Sequence, residues 1–318
     1  MKRPLATLLG LSMAAVASAQ SYPAKPVRMI LALGGGAEVA ARAIGDRLAA
    51  SMGQPFLVEA QPGAGGAQGA ETVARAAPDG YTIGLVTPNT HVYRPYIVKT
   101  MGYDPVKDFT PIGKITDTYS CLVSNLTLPI TSFQEFLDYA RKNPDKISYA
   151  STGVGTGHHL NGEQIMQRTG VKFVHVPYKG GNQQMQDLLG GQVPIASVII
   201  GTVAPYLKQN SKLKVIAVFG PRRYKTMPDV PTVAEIIPGF ESLVGWMGFE
   251  GPANLPVPIV QRLNKEVGIA LSDPGLVAKL ENIGFVVDLG SPEQLGDIIR
   301  RDLATAGRLA KSAGIQPE

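Results

Sequence analysis

Apolar positions along this chain fall into two alternating patterns. Short, nearly continuous apolar runs read as buried strands, and apolar residues recurring every three or four positions read as helices with one buried face. Val27 to Leu33 is the first run. Ala40, Ile44 and Leu48 then recur at helical spacing, with Arg42 and Asp46 on the opposite side, and Gly53 stops the helix. Phe56 to Glu59 predicts a second strand, Gly66 to Ala77 a helix, and Tyr81 to Thr87 a third strand. Strand, helix, strand, helix, strand implies a parallel sheet with helices on both faces.

The alternation then starts again. Ser132-x-x-Glu135 has the form of a capping box. Phe133, Phe136, Leu137 and Ala140 make one helix face that ends at Asn143-Pro144. Strands are expected at Ile147 to Ala150, Phe173 to Val176, Val193 to Ile200 and Val215 to Phe219. Helices are expected from about His158 and over Met185 to Leu189. This is a second α/β unit. The C-terminal part is helical. Ile259, Leu263 and Val267 share a face, and Asp273-Pro274 opens a helix that Gly284 follows. Ser291-Pro292-x-Gln294 caps a last helix burying Leu295, Ile298, Ile299 and Leu303.

The first residues form a different pattern. Lys2 and Arg3 precede an apolar stretch from Leu5 to Val16, and Ala17-Ser18-Ala19 has the form of a cleavage site. Residues 1–19 therefore read as a secretion signal cleaved after Ala19, placing the mature protein in the periplasm. The stretch is short of the roughly 20 residues a bilayer-spanning helix needs. The alternative is an uncleaved N-terminal anchor. At 318 residues and 44% hydrophobic side chains, the chain can fill two domain cores. Loss of the leader leaves 28 basic against 25 acidic residues, a net +3. They form no basic stripe, so nucleic acid is not an expected partner. The single cysteine, Cys121, lies in an apolar run and reads as a buried core thiol.

Three strand-to-helix loops are poor in bulky side chains: Gly34-Gly35-Gly36-Ala37, Thr87-Pro88-Asn89-Thr90, and Ser151 to Gly157. Helix N-termini carry unpaired N–H groups and a partial positive charge, and they bind carboxylates and phosphates without Lys or Arg. In parallel α/β sheets such loops lie at the carboxyl ends of the strands, where ligands bind. The plainer reading is that these residues only make turns and caps; three loops divided between two units favour binding.

Enzyme signatures are weaker. No dinucleotide, P-loop or G-x-S-x-G motif is complete. His159 and Glu163 lie one helical turn apart, with His158 alongside, which is a partial metal-ligand pattern without supporting Cys or H-E-x-x-H. No metal and no cofactor is expected. A secreted α/β hydrolase or lyase using His159 or Ser151 is the enzyme alternative, and a sensing partner of a signalling membrane protein is another. Trp246, the one tryptophan, either packs in the core or hinge or walls a cleft.

A set of short motifs makes the chain resemble the Bug or TctC family, the receptors of tripartite tricarboxylate transporters. They include Tyr22-Pro23-x-Lys25-Pro26, Gly53-Gln54-Pro55, Pro62-Gly63-Ala64-Gly65-Gly66 and Ala76-Ala77-Pro78-Asp79-Gly80-Tyr81-Thr82. Others are Tyr103-Asp104-Pro105-x-x-Asp108-Phe109, His175-Val176-Pro177-Tyr178-Lys179-Gly180, Asp187 to Gln192, and Pro228 to Glu235. Their order and spacing are more specific than any one of them.

The resemblance implies a two-domain, type II-like periplasmic-binding-protein clamshell of α/β class. Each domain would be a mostly parallel sheet flanked by helices, with two crossover strands, near Thr116 to Ser124 and Leu243 to Gly251, as hinge. Domain 1 would be residues 20–122 plus 246–318, and domain 2 residues 123–245. It further implies a monomer that holds an organic carboxylate by backbone amides, hydroxyls and ordered water. The ligand would then pass to a two-component membrane permease of the TctA/TctB kind.

The expected binding residues are Leu33, Gly34, Gly35, Gly36, Ala37, Thr87, Asn89, Thr90, Ser151, Thr152, Gly153, Thr156, His159, Tyr178, Val198 and Ile199. The family's first loop usually reads Pro-Pro-Gly-Gly-Ser/Thr-x-Asp, whereas this chain has Ala32-Leu33-Gly34-Gly35-Gly36-Ala37-Glu38. Many members carry an Asp where this chain has Val198-Ile199-Ile200, and its absence argues against an amino-acid ligand. Leu33, Val198, Ile199 and Trp246 suggest an apolar patch and an aromatic dicarboxylate such as terephthalate, with citrate and aliphatic dicarboxylates as the alternatives.

Overall fold

The computed structural model describes residues 22–32, 36–61, 66–207 and 212–317. The signal segment, and Leu33, Gly34 and Gly35 of the first loop, lie outside the described residues.

Strand β1 (Val27–Leu31) pairs in parallel with β2 (Phe56–Ala60) on one side and β3 (Thr82–Val86) on the other. Its side chains alternate between two cores. Met29 and Leu31 pack with Ile44 and Leu48 of α1 (Gly36–Met52) and with α8 (Val257–Leu271), while Ile30 packs with Ala67, Ala70 and Val73 of α2 (Ala67–Ala74). A strand buried on both faces explains why its sequence is almost continuously apolar. Three antiparallel strands complete this sheet: β4 (Phe109–Thr118), β10 (Gly245–Pro252) and β11 (Phe285–Val287). The order is β11-β4-β10-β3-β1-β2.

The second sheet has the order β7-β6-β8-β5-β9, formed by β5 (Ser120–Asn125), β6 (Ser148–Ser151), β7 (Val174–Pro177), β8 (Ile195–Ile199) and β9 (Leu213–Phe219). Tyr149 and Leu122 face a core with α3 (Phe133–Lys142) and Ile165 of α4 (Gly157–Thr169). Cys121 and Val123 face the other core, with Met185 and Leu188 of α5 (Gly181–Leu189) and Val203 of α6 (Ile200–Leu207). Cys121 is a free, fully buried thiol, and burial raises its pKa.

Both sheets are mixed rather than mostly parallel. The parallel strands are β2-β1-β3 and β7-β6-β8, and the remainder pair antiparallel because the crossing strands run against them. The chain changes sheets at Tyr119, between β4 and β5, so the expected boundary after residue 122 falls inside β5. It returns through α7 (Val233–Ile236) into β10, whose Gly245 lies opposite Thr118. The two crossings therefore run side by side.

Several local expectations change. Ser132 Oγ accepts from the Glu135 amide, but the Glu135 carboxylate bonds Thr131, so only half a capping box forms. A full box forms at Thr232 and Glu235, and another at Ser291 and Gln294 opens α10 (Pro292–Ser312). The apolar run through Ile200 ends as strand at Ile199 and continues as α6. After α8, α9 (Pro274–Asn282) starts from Asp273, whose carboxylate accepts from the Leu276 amide.

Trp246 resolves as a core residue. It is 3% exposed, packs with Val86, Tyr93, Leu160 and Leu295, and donates from Nε1 to Asp302 on α10 at 2.9 Å. Leu160 comes from α4, so this core ties the two units together. Asp302→Ala should cost about 1–3 kcal/mol by stranding the buried indole N–H. Asp302→Asn, which keeps an acceptor, should cost clearly less. Thermal unfolding of both variants checks this; equal, negligible losses would contradict it.

Candidate functional site

The carboxyl ends of β1 and β3 converge on the start of α2. Gly66 has φ +95°, and a Cβ there would lie 2.9 Å from both the Ala32 Cβ and the Thr90 Cγ2. Only glycine permits this approach. Beyond β3, Asn89–Tyr93 forms a turn of π-helix, a feature frequent at functional sites. Thr90 Oγ1 donates to the Thr87 carbonyl at 3.1 Å, and Asn89 is exposed. Thr87 is 7% exposed, and its Oγ1 has no hydrogen-bond partner among the described residues. A buried hydroxyl without a protein partner calls for an explanation, such as a bound ligand or water.

The end of β6 builds the facing loop. Ser151 Oγ accepts from the Gly153 amide at 3.1 Å, Thr156 Oγ1 donates to the Gly153 carbonyl at 2.8 Å, and Thr156 caps α4 by accepting from the His159 amide. Gly153 and Gly155 have φ +134° and +75°, conformations that side chains resist. Tyr178, next along from β7, bonds its amide to the Ser151 carbonyl and sends its hydroxyl to Asp187 of α5.

These two groups of loops touch. A Cβ on Gly157 would collide with the Tyr93 hydroxyl, and one on Gly155 with the Ile97 side chain. On the other side, Gly201 at the start of α6 lies against the backbone of Ile283 and Gly284, and Gly36 at the start of α1 lies against the Phe285 ring. Gly36 is exposed, and Ala37 and Ile199 are partly exposed. Val198 does not join them. It is 1% exposed and packed among Cys121, Ile200 and Val203, because it occupies the inward position of its strand. The contacts of Tyr93, Ile97, Gly201 and Phe285 carry no local sequence signal, since they join elements far apart in the chain.

The histidines are committed to the protein's own structure. His158 bonds Ser120 Oγ at 2.8 Å and Thr152 Oγ1 at 3.1 Å. His159 Nδ1 accepts from the Gly155 amide at 3.0 Å, and its Nε2 lies 3.4 Å from Glu163. The His159 and His175 rings stack at 3.8 Å, 8° from parallel. Among the described residues no cluster of three or more His, Cys, Asp or Glu side chains is arranged to hold a metal.

Ser151 Oγ and His175 Nε2 lie 2.6 Å apart, the spacing of a nucleophile and its base. Yet Ser151 is fully buried and already tied to Gly153, and among the described residues no carboxylate bonds the His175 ring. The pair is better suited to bracing the loop. A separate groove of about 460 Å³ opens between α4 and α10, lined by Arg168, Glu241 and Arg308 among others, and none of the expected binding residues borders it. There Arg308 pairs with Glu241 and Gln167 bonds Ser312.

Residues 40–315 match the model of the tripartite tricarboxylate transporter family receptor, TctC. The chain belongs to this family. TctC-family relatives include a UPF0065 protein of the gbd 5' region of Cupriavidus necator, 37% identical over 84% of this chain and 81% of that protein. Protein BugT of Bordetella pertussis is 28% identical over 95% of this chain and 93% of its own. Among solved structures, an R. palustris protein with adipate is 32% identical, with TM-score 0.81 over 93% of this chain and all of the other. The periplasmic binding protein BugD is 33% identical with TM-score 0.75, over 93% of this chain and all of that one. MatC of Rhodopseudomonas palustris, with bound malate, is 29% identical with TM-score 0.74, over 91% of this chain and all of that one. The chain is thus a member of a family of transporter receptors and has the two-sheet α/β fold of its solved relatives.

Burial pushes the pKa of His158 down to about 4, and burial together with the neighbouring His159 does the same to His175. In the unfolded chain both titrate near 6.5. The unfolded state therefore binds more protons below that pH, and the folded state loses stability as pH falls from 6.5 towards 4. The melting temperature should decline over that window, and His158→Asn should flatten the decline. An identical pH profile in the variant would contradict the assignment.

Proposed function

We propose that this receptor captures a small aliphatic dicarboxylate between the Thr87–Thr90 loop and the Ser151–Thr156 loop, with Gly36 and Ala37 beside them. It then delivers the acid unchanged to a two-protein permease of the TctA/TctB kind. The observation that carries the reading is the convergence, from two sheets, of loop amides and hydroxyls at the carboxyl ends of parallel strands, including the free buried hydroxyl of Thr87. Structural relatives bound to adipate and to malate support the dicarboxylate class. The earlier expectation of an aromatic acid rested partly on Val198 and Trp246, and both side chains are in the core. That removes the main argument for terephthalate over a flexible four- to six-carbon diacid.

In this reading the chain is exported by its first 19 residues and works as a monomer. Two domains, residues 20–122 with 246–318 and residues 123–245, close on the acid about the paired crossings, with the exact switch at Tyr119.

A thermal-shift screen of residues 20–318 against adipate, malate, citrate, terephthalate, benzoate and amino acids tests the proposal. A ligand at a hundredfold excess over its Kd adds about 2.7 kcal/mol, a rise of several degrees. Adipate or malate should give the largest rise and be recovered unaltered. No shift with any acid, or consumption of the bound acid, would overturn the reading.

A further inference from the structure

Beneath the Thr87–Thr90 loop lies a buried polar pair that ligand contact does not explain. Glu250 on β10 and His91 in the π-turn are both buried, with Glu250 Oε2 and His91 Nε2 3.0 Å apart. The approach has ion-pair distance without the alignment of a straight hydrogen bond, and neither atom has another hydrogen-bond partner among the described residues. Glu250 also borders a small cavity of about 10 Å³ together with Ala32 and Thr90. Burying such a pair costs desolvation that an apolar pair would avoid, so its presence is a weak argument from stability alone.

The bonds lead from the pair to the loop. His91 Nδ1 lies 3.0 Å from Thr90 Oγ1, and Thr90 Oγ1 lies 3.1 Å from the Thr87 carbonyl. The threonine hydroxyl has one hydrogen. Given to the Thr87 carbonyl, it leaves the oxygen to accept from a protonated Nδ1. Nε2 then meets Glu250 either as N–H against carboxylate or as a lone pair receiving a carboxylic acid proton. In both cases the pair shares one proton, and losing it would set a lone pair against a carboxylate. Burial raises the Glu250 pKa while His91 opposes the rise, which favours keeping that proton. The imidazole is held by Phe109, edge-on at 4.6 Å, and by Tyr103, whose hydroxyl donates to the Thr90 carbonyl at 2.8 Å.

We infer that Glu250, acting through His91 and Thr90, positions the Thr87–Thr90 loop to receive the ligand's carboxylate. The inference rests on the dicarboxylate-receptor reading for its purpose. Glu250 and His91 are positioning residues and do not touch the ligand.

Two substitutions separate this role from simple packing. Glu250→Gln keeps the shape and can donate from its amide to His91 Nε2, as the protonated acid does. Glu250→Leu keeps the bulk and removes the polar contact with His91 Nε2. Hydrogen exchange of residues 87–93 is measured on the ligand-free proteins, alongside Tm and the Kd for adipate. Glu250→Gln should stay within about threefold of wild type in exchange and Kd. Glu250→Leu should speed exchange of the loop, and weaken adipate binding, by about tenfold or more, a Kd change of ~1.4 kcal/mol. If Glu250→Leu does not fold, Thr90→Val, which cuts the relay at its last link, should show the same faster exchange. Unchanged loop exchange in a folded Glu250→Leu or Thr90→Val protein would overturn the inference. Exchange is read without ligand, so failure of the wild type to bind any dicarboxylate would sink the receptor reading separately.

Discussion

Everything about this receptor depends on how its two sheets share one chain. β4 ends at Thr118 and β5 begins at Ser120, so a single residue, Tyr119, carries the backbone from one sheet to the other. The return strand β10 is zipped against β4 from Gly245 opposite Thr118 onward. A Cβ at Gly245 would press to 3.1 Å against Thr118, a contact tight enough that the neighbour would have to shift. Two adjacent crossings of extended backbone join the sheets at one edge. Antiparallel strands β4 and β10 are the cost to sheet regularity, and they explain why neither sheet is purely parallel.

That constraint decides what kind of site can form. In the proposed reading the acid meets the strand ends of β3 on one side and of β6 and β7 on the other, which offer backbone amides and small hydroxyls. Bulky or charged neighbours are turned elsewhere: the Tyr178 hydroxyl to Asp187, the His158 ring to Ser120 and Thr152, and Trp246 to Asp302. A site made of amides and hydroxyls suits an anion whose charge is spread over two carboxylates. Arg308 with Glu241 and Gln167 with Ser312 bridge the units along the α4–α10 groove.

Much of the fold was legible because its central strands are buried on both faces. The Val27 run, the α1 stripe of Ala40, Ile44 and Leu48, and the caps at Asp273 and Ser291 all formed where their patterns put them. β4 and β10 were legible only through family resemblance, because Pro111, Lys114, Gly245 and Gly248 break the apolar rhythm of strands whose order comes from pairing with each other. The run ending at Ile200 hid a strand-to-helix change, since apolar composition alone does not separate the two. For the candidate site, Thr87, Asn89, Thr90 and the Ser151 loop stand out in the sequence as glycine- and hydroxyl-rich segments after strands, and the structure places them at the ends of β3 and β6. Val198 was misjudged because side-chain direction depends on register, and its pairing with Cys121 turns it into the core. The roles of Gly201, Phe285 and Glu250 come from contacts between distant elements, which no local pattern encodes.

The central claim is that the acid is held between loops contributed by both sheets. A crystal structure of the mature protein grown with a saturating dicarboxylate such as adipate tests it most directly. The account predicts density for the acid between Thr87–Thr90 and Ser151–Thr156, with one carboxylate on the Thr87 hydroxyl. An acid bound instead in the α4–α10 groove, or held by one sheet's loops alone, would contradict it.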